Sequence, residues 1–584
     1  MRPSSLAVLP CVLIALLLLA PAPISASSTS MDSMGAEAVS PRDDQFVVNI
    51  SGTVLDFHQE PVAGSAVEIY LDGNLVRELE TGETGNYVAD VPVDKARLGQ
   101  ATVAVKIEKP NFEEKTFRVQ TSELAQQGGQ LFLSRDVTLA RVVGPAFWIA
   151  AVVFVLAYIL IAFELLHRTI AAMLGASVML LISYTLGTLS HDYFILSFER
   201  AISAIDMNVI FLLMGMMIIV GVLKHTGVFQ WCAYMAYKLS RGRFFLMAAY
   251  LMIFTAVTSA FLDNVTTMLL LTGVAIEICV ALSINPLYLL IPLILASNVG
   301  GTATLIGDPP NILIGSYSGL SFLQFVMALG PISLVCLIAL LVFSKLVWGR
   351  EYAKTRVDDI DAFIKKLQRK HRITDSTLLT YGLAVLGFVV FLFLTESYWH
   401  MEVSVAAMLG GAVLVTIGVL TDKVNLIELI EKDIEWPTLM FFMFLFMLVG
   451  AVEATGLLSL IADWILHISQ GDFVLACTFI LWVAAIMSAF VDNIPFTATM
   501  LPVVAYLSNV IPEAHNTLWW ALALGACYGG NGTIIGASAN VVTVGIAESR
   551  GYRTTFGGFM KTAFPFMILT VIVAQVWLLL FPPS

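Results

Sequence analysis

Two patterns of hydrophobic and polar positions divide the chain. From Phe46 to Leu139, short runs alternate apolar and polar residues: FVVNISGTVL, AVEIYLDG, ATVAVKIEK, KTFRVQ and LFLSRDVTLA. Turn formers separate them at Asp72-Gly73-Asn74, Thr84-Gly85-Asn86 and Lys109-Pro110-Asn111. Period-two runs at this spacing predict a small all-β sandwich over 45–140. After residue 145 the pattern changes to roughly twelve apolar segments, from 146–166 to 559–581. Runs of about 20 apolar residues match the thickness of a bilayer. The rest of the chain is therefore expected to be an α-helical polytopic membrane domain.

Ahead of the sandwich, Arg2 followed by the apolar run Leu6–Ala20 and the small residues Ala20-Pro21-Ala22 and Ile24-Ser25-Ala26 reads as a signal peptide over 1–26. An uncleaved first anchor fits the same residues. Both readings send the following domain out of the cytosol, with residues 27–44 as a linker.

Several apolar segments are too long or too interrupted to be simple spans. Segment 244–282 carries Asp263-Asn264 in its middle, and 286–318 carries Gly300-Gly301 and Asp308-Pro309-Pro310. The same anomalies recur as Asp492-Asn493 in 473–510 and Gly529-Gly530-Asn531 in 517–548. SAFLDN at 259–264 and SAFVDN at 488–493 lie 229 positions apart. GGTATLIGDPPN at 300–311 and GGNGTIIGASAN at 529–540 keep that offset, while AAMLG at 171–175 matches 406–410 at 235. The membrane domain is thus read as repeat one at 145–348, a loop at 349–375 and repeat two at 376–582.

The loop carries Arg350, Lys354, Arg356, Lys365, Lys366, Arg369, Lys370 and Arg372, and the positive-inside rule makes it cytoplasmic. With each Asp-Asn segment entering and leaving on one side, each repeat crosses five times and the repeats are inverted. Inverted repeats with broken helices at the midplane are the architecture of secondary transporters. The sandwich is then extracytoplasmic, on a plasma (inner) membrane or, in a eukaryote, an organelle membrane.

Irregular backbone at membrane depth is tolerated where it lines a cavity or is buried in protein. Gly300, Gly301, Gly529 and Gly530 allow it, and the side chains of Asn298, Thr302, Asn531 and Thr533 supply hard oxygen ligands suited to sodium. Asn311 and Asn540 match across the repeats and are weaker ligand candidates. Close helix packing is the other use of such glycines. An ionised carboxylate at mid-membrane costs at least about 2.5–3.5 kcal/mol, so Asp263 and Asp492 need a proton or a cation beside them. Burial favours the protonated form and a bound cation the ionised one, so the two compete, the minimum an antiporter needs. Asn264, Thr266 and Asn493 complete the expected tips. Capping of a hairpin turn is the alternative role for both aspartates. Asp308, whose counterpart is Ala537, is either a ligand or a turn cap.

Composition narrows the classes. The mean hydropathy is +0.85, with 58% hydrophobic and 13% charged residues, unlike a soluble protein. A net charge of −12 gives no basic footprint for nucleic acid. The six cysteines form no CxxC pair and the eight histidines no HxH or HxxxH pair, so neither a disulfide framework nor a zinc site is expected. No G-x-x-x-x-G-K-[ST] loop is present, so ATP is not expected as a partner.

Two resemblances add to this reading. Gly52-Thr53-Val54 with Pro61-Val62-Ala63-Gly64-Ser65-Ala66-Val67-Glu68-Ile69 resembles the carboxypeptidase-regulatory-like sandwich, which implies no activity. SAFLDNVTTMLLL followed by NVGGTATLIGDPPNILIGS resembles the ion transporter superfamily, in the branch of arsenite-pump and NhaD-type sodium/proton antiporters and the melanosomal P protein. That resemblance implies a scaffold with a moving transport domain, a homodimer and an elevator motion. The distant dicarboxylate-symporter branch carries Ser-Asn-Thr at its tips. An aspartate there repels a dicarboxylate. The expected function is secondary transport of a small inorganic ion coupled to protons, sodium/proton antiport first, by a non-enzymatic protein in membrane lipid. Transport of an anion or neutral oxyacid (arsenite, silicic acid, chloride, a carboxylate) is the alternative, and a membrane-anchored receptor the third class. No cofactor is expected beyond sodium as coupling or transported ion.

Overall fold

The computed structural model describes residues 45–56, 61–82, 84–94, 101–109, 111–121, 124–127, 130–163, 165–353, 372–511 and 515–581. The signal, the linker and residues 354–371 of the basic loop lie outside the described residues. The chain divides into two compact units, Met1–Ala140 and Arg141–Ser584.

The first unit is a β-sandwich. Its strands are β1 (Gln45–Asp56), β2 (Ala66–Leu71), β3 (Asn74–Glu80), β4 (Asn86–Asp94), β5 (Thr102–Glu108), β6 (Lys115–Gln120), β7 (Ala125–Gln127), β8 (Gln130–Ser134) and β9 (Val137–Leu139). One sheet runs β4-β1-β8-β7, with β9 paired to β1; the other runs β3-β2-β5-β6. Alternate residues of β4 and β5 point inward, so Val91, Val93, Val103, Val105 and Ile107 meet Val48, Ile50, Val67 and Ile69 in one core. Alternating valines and isoleucines suit a pleated surface buried on one face. Tyr87 closes one end of that core, and its hydroxyl donates to Arg135 O at 2.7 Å.

The second unit is helical. Repeat one contains α1 (Pro145–Ala162), α2 (Arg168–Leu189), α3 (Met207–His225), α4 (Val228–Ser240), α5 (Phe244–Phe261), α6 (Asn264–Ala281), α7 (Leu287–Gly301), α8 (Pro309–Ser318) and α9 (Phe322–Ala353). Repeat two contains α10 (Ser376–Trp399), α11 (Val403–Leu420), α12 (Trp436–Thr455), α13 (Leu457–Ser469), α14 (Phe473–Phe490), α15 (Asn493–Val510), α16 (Thr517–Gly529), α17 (Ser538–Ser549) and α18 (Phe556–Leu580). Eleven of the described helices are long and apolar enough to cross a membrane.

The repeat seen in the motifs extends to the helix boundaries. α3 and α12, α4 and α13, α5 and α14, α6 and α15, and α8 and α17 each start 229 residues apart. The punctuation agrees: Gly227 and Gly456 both take a left-handed φ (77° and 85°) before α4 and α13. Contacts between repeats come in exchanged pairs. α2 packs on α12 and α11 on α3, while α6 packs on α17 and α15 on α8. Each repeat has five transmembrane passes: α1, α2, α3, the broken pair α7–α8 (or its equivalent α16–α17) and α9. An odd number inverts the second repeat relative to the first.

α4 and α13 are amphipathic and were not foreseen among the apolar segments of the sequence. At 13 residues each they reach about 20 Å, short of a bilayer core. Their polar residues fall on one face, which suits a helix lying at an interface.

Candidate functional site

Each hairpin tip is two residues of extended backbone between helices. Leu262 (φ −128°, ψ 147°) and Asp263 (φ −50°, ψ 140°) separate α5 from α6. Val491 (−127°, 141°) and Asp492 (−47°, 132°) separate α14 from α15. Both aspartates cap the helix they precede. Asp263 Oδ2 accepts from the Thr266 amide and hydroxyl, both at 3.0 Å, and Asp492 Oδ1 accepts from the Ile494 amide at 3.2 Å. A short acidic side chain before a helix satisfies amides that have no intrahelical partner.

The tips differ beyond the cap. Asp492 Oδ2 receives Arg168 Nη1 at 3.1 Å and Ser538 Oγ at 3.2 Å. Arg168 also donates to Ser538 Oγ and, from Nη2, to Thr438 Oγ1 at 3.2 Å, with its guanidinium 5.2 Å from the Phe441 ring centre. The cation beside Asp492 is therefore built into the protein. Asp263 and Thr266 instead line a cavity of about 10 Å³ with Leu212, Leu213, Met216, Met217, Val220, Ile306 and Ile312. That is about the room one water needs.

The paired glycines serve two purposes. A Cβ on Gly300 would lie 2.1 Å from Ala256 O, and one on Gly529 2.4 Å from Ala485 O, so α7 and α16 press backbone to backbone on α5 and α14. This accounts for Gly300 and Gly529 by packing. Gly301 and Gly530 close the unwound segments, where a Cβ would approach Gly307 O at 2.6 Å and Gly536 O at 3.0 Å. The freed carbonyls are stitched by amides. Asn311 Nδ2 reaches Gly301 O, Thr302 O and Thr304 O at 3.4, 3.1 and 2.8 Å, and Asn540 Nδ2 reaches Gly530 O and Thr533 O at 2.7 and 2.8 Å. Thr302 and Thr533 spend their hydroxyl protons on Asn298 O and Ala489 O.

Between the broken helices the remaining candidates meet. Asn264 Nδ2 donates to Asn298 Oδ1 at 3.5 Å, and Asn298 Nδ2 donates to Asn531 Oδ1 and Asn540 Oδ1, both at 3.1 Å. Asn493 Nδ2 donates to Asp308 Oδ1 at 3.4 Å, and Cys527 Sγ lies 3.5 Å from Asn311 Oδ1. These residues are buried, Asp308 at 1% exposure. Asp308 makes no cap bond to α8. Asp308 Oδ2 and Asn531 Nδ2 have no hydrogen-bond partner among the described residues. Buried polar atoms are nearly always paired, and a lone carboxylate oxygen calls for a proton or a cation. Of the two proposed roles for Asp308, turn capping is the one this geometry does not support.

Sequence reasoning missed Arg168, Ser538 and Cys527. An arginine opening an apolar segment reads as a span boundary, and the signal lay in the repeat: AAMLG at 171–175 and 406–410 puts Arg168 in register with Val403. Cys527 stands in register with Asn298 and Ser538 with Pro309. The two half-sites have diverged in the residues that meet at the centre.

The description "CitMHS: Citrate transporter" matches residues 158–525. An uncharacterized transporter of Mycobacterium tuberculosis is 40% identical over 433 residues, covering 74% of this chain and 97% of that protein. The P protein of Homo sapiens is 36% identical over 500 residues, covering 72% of this chain and 58% of that protein. The crystal structure of the Alcanivorax borkumensis YdaH transporter, described as having an unusual topology, is similar with a TM-score of 0.53 at 13% identity, covering 72% of this chain and 99% of that one; this likeness is one of fold. The broken helices, the capped hairpins and the relatives agree, and the chain belongs to the CitMHS family of membrane transporters.

Proposed function

We propose that the protein exchanges a small cation, sodium first, for protons, with Asp308 and Asp263 as the carboxylates that hold one or the other. The observation that carries this reading is the Asp308 side chain, buried between the repeats with Oδ2 unpartnered. Ionised and alone it would cost several kcal/mol. With a proton or a cation it is stable, and a site with those two states couples two flows. Asp492 takes a different part, because Arg168 already neutralises it. The hairpins and broken helices would move as one body against α1–α3 and α10–α12, in the elevator manner the resemblance implies.

A carboxylate-bearing cargo, as in the family's description, is the second reading. The guanidinium that would receive it, Arg168, is already engaged by Asp492, Ser538 and Thr438. Purified protein in liposomes with a trapped pH dye separates the readings. Sodium or lithium gradients should drive proton movement; movement driven by citrate, arsenite or chloride alone would replace the cation reading with the anion one.

A further inference from the structure

A larger cavity of about 340 Å³ lies beside the one at Asp263. Its walls include Asn208 of α3, Ser316 of α8, Glu396 of α10, His400 at the end of α10, and Glu402 and Val403 at the start of α11. Asn208 holds the wall together: its Nδ2 donates to Glu402 Oε2 at 2.9 Å and Ser316 Oγ at 3.2 Å, while its Oδ1 accepts from the Ser404 amide at 3.3 Å. Glu396 Oε1 accepts from the Phe322 amide at 2.6 Å and so caps α9.

Leu212 and Ile312 line both cavities. One layer of apolar side chain therefore separates a roomy chamber from the chamber of Asp263. The larger cavity sits at the N-terminal end of α9 and the C-terminal end of α10, so it opens on the face opposite the C-terminal end of α9 and the N-terminal end of α10. In the other repeat the position in register with Val403 is Arg168, which pairs with Asp492. The walls of the larger cavity carry Glu396 and Glu402 and no lysine or arginine. A cleft lined by one sign of charge concentrates counter-ions by about tenfold or more.

We propose that this chamber is the path by which a small cation reaches Asp263, with Leu212 and Ile312 as its gate and Glu402 as the charge that admits cations and turns back anions. The cargo in this statement rests on the cation reading above; the route rests on the shared wall and the lining charge.

The test uses the full-length protein in liposomes with Cys232→Ser, since Cys232 is half-buried and the other described cysteines are buried. Ser316→Cys reports on the chamber and Met216→Cys on the space beyond the gate. From the chamber's face, a cationic methanethiosulfonate should react with Ser316→Cys about tenfold faster than an anionic one, and Glu402→Gln should bring the two rates together. Met216→Cys should react slowly, and Leu212→Ala or Ile312→Ala should speed it about tenfold. An anionic reagent reacting as fast at Ser316→Cys, no reaction there at all, or a Met216→Cys rate indifferent to both gate variants would overturn the proposal. Labelling is read without transport. Absent sodium–proton exchange in wild-type protein would refute the cargo, while these rates still judge the route.

Discussion

Arg168 donates to Asp492 at 3.1 Å, while the residue in register with Arg168 in the other repeat is Val403, on the wall of the open chamber near Asp263. The neighbouring contacts keep the symmetry that this pair breaks. Thr169 Oγ1 bonds Pro437 O, and their counterparts Ser404 and Asn208 bond through the Ser404 amide. One hairpin tip is thus locked by a built-in cation, and the other is left with a carboxylate beside a small cavity.

The lock makes a stability prediction. Removing one member of a buried pair costs up to about 3–5 kcal/mol because the other charge stays buried. Here the loss should be smaller, since the side chains keep 21% and 13% exposure. Arg168→Met and Asp492→Asn should each lower the Tm in detergent, and the double variant should lose less than their sum. Strictly additive losses would show that the two side chains do not interact energetically.

The glycines give a contrast of positions. Gly300→Ala and Gly529→Ala would push a methyl group into the carbonyls of Ala256 and Ala485 and should abolish the monodisperse folded protein. Gly545 in α17 has nothing within 4 Å of its absent Cβ. Gly545→Ala should fold normally and gain up to about 1 kcal/mol from helix propensity. The check is fluorescence-detected size exclusion of the three variants; equal behaviour would contradict the packing account.

In the sandwich, burial first, and Asp136 second, push the Tyr87 phenol up to about 12 from its usual 10. A folded state that holds a proton more tightly than the unfolded one is stabilised below the unfolded pKa and loses that stabilisation as pH rises towards the folded one. The difference in melting temperature between wild type and Tyr87→Phe should therefore shrink from pH 9 to pH 12. A difference constant over that window would mean the phenol is not held neutral by the fold.

How far this was legible depends on what repeats. Hydrophobic period, the Asp-Asn tips and the Gly-Gly breaks each occur twice at fixed offset, so the helical repeat and the meeting of Asn264, Asn298, Asn531 and Asn540 could be read from residues. Arg168 could not be ranked, because its meaning comes from Asp492, 324 residues away. The same holds for Glu396, which caps α9 from α10. The short helices α4 and α13 escaped because an amphipathic stretch of 13 residues is not a continuous apolar run and passes for a polar connection between spans. Gly300 and Gly529 were recognisable as special, but only the carbonyls they face separate packing from ligation.

Orientation has its own check. A cysteine at Ser376, beside the basic segment, should be labelled by impermeant reagent from the cytoplasmic face alone, and one at Thr84 in the sandwich from the opposite face alone. The reverse pattern would invert the molecule.

The central claim concerns Asp308. Asp308→Asn keeps the shape and the acceptor for Asn493 Nδ2 but removes the group that holds a proton or pairs with a cation. The most direct measurement is sodium-driven proton movement in liposomes, wild type against Asp308→Asn, at equal reconstituted amounts and over a pH range. The account predicts that the variant inserts normally and loses at least about tenfold of the coupled flux, equivalent to about 1.4 kcal/mol. Coupled flux of unchanged size and unchanged pH dependence would contradict it.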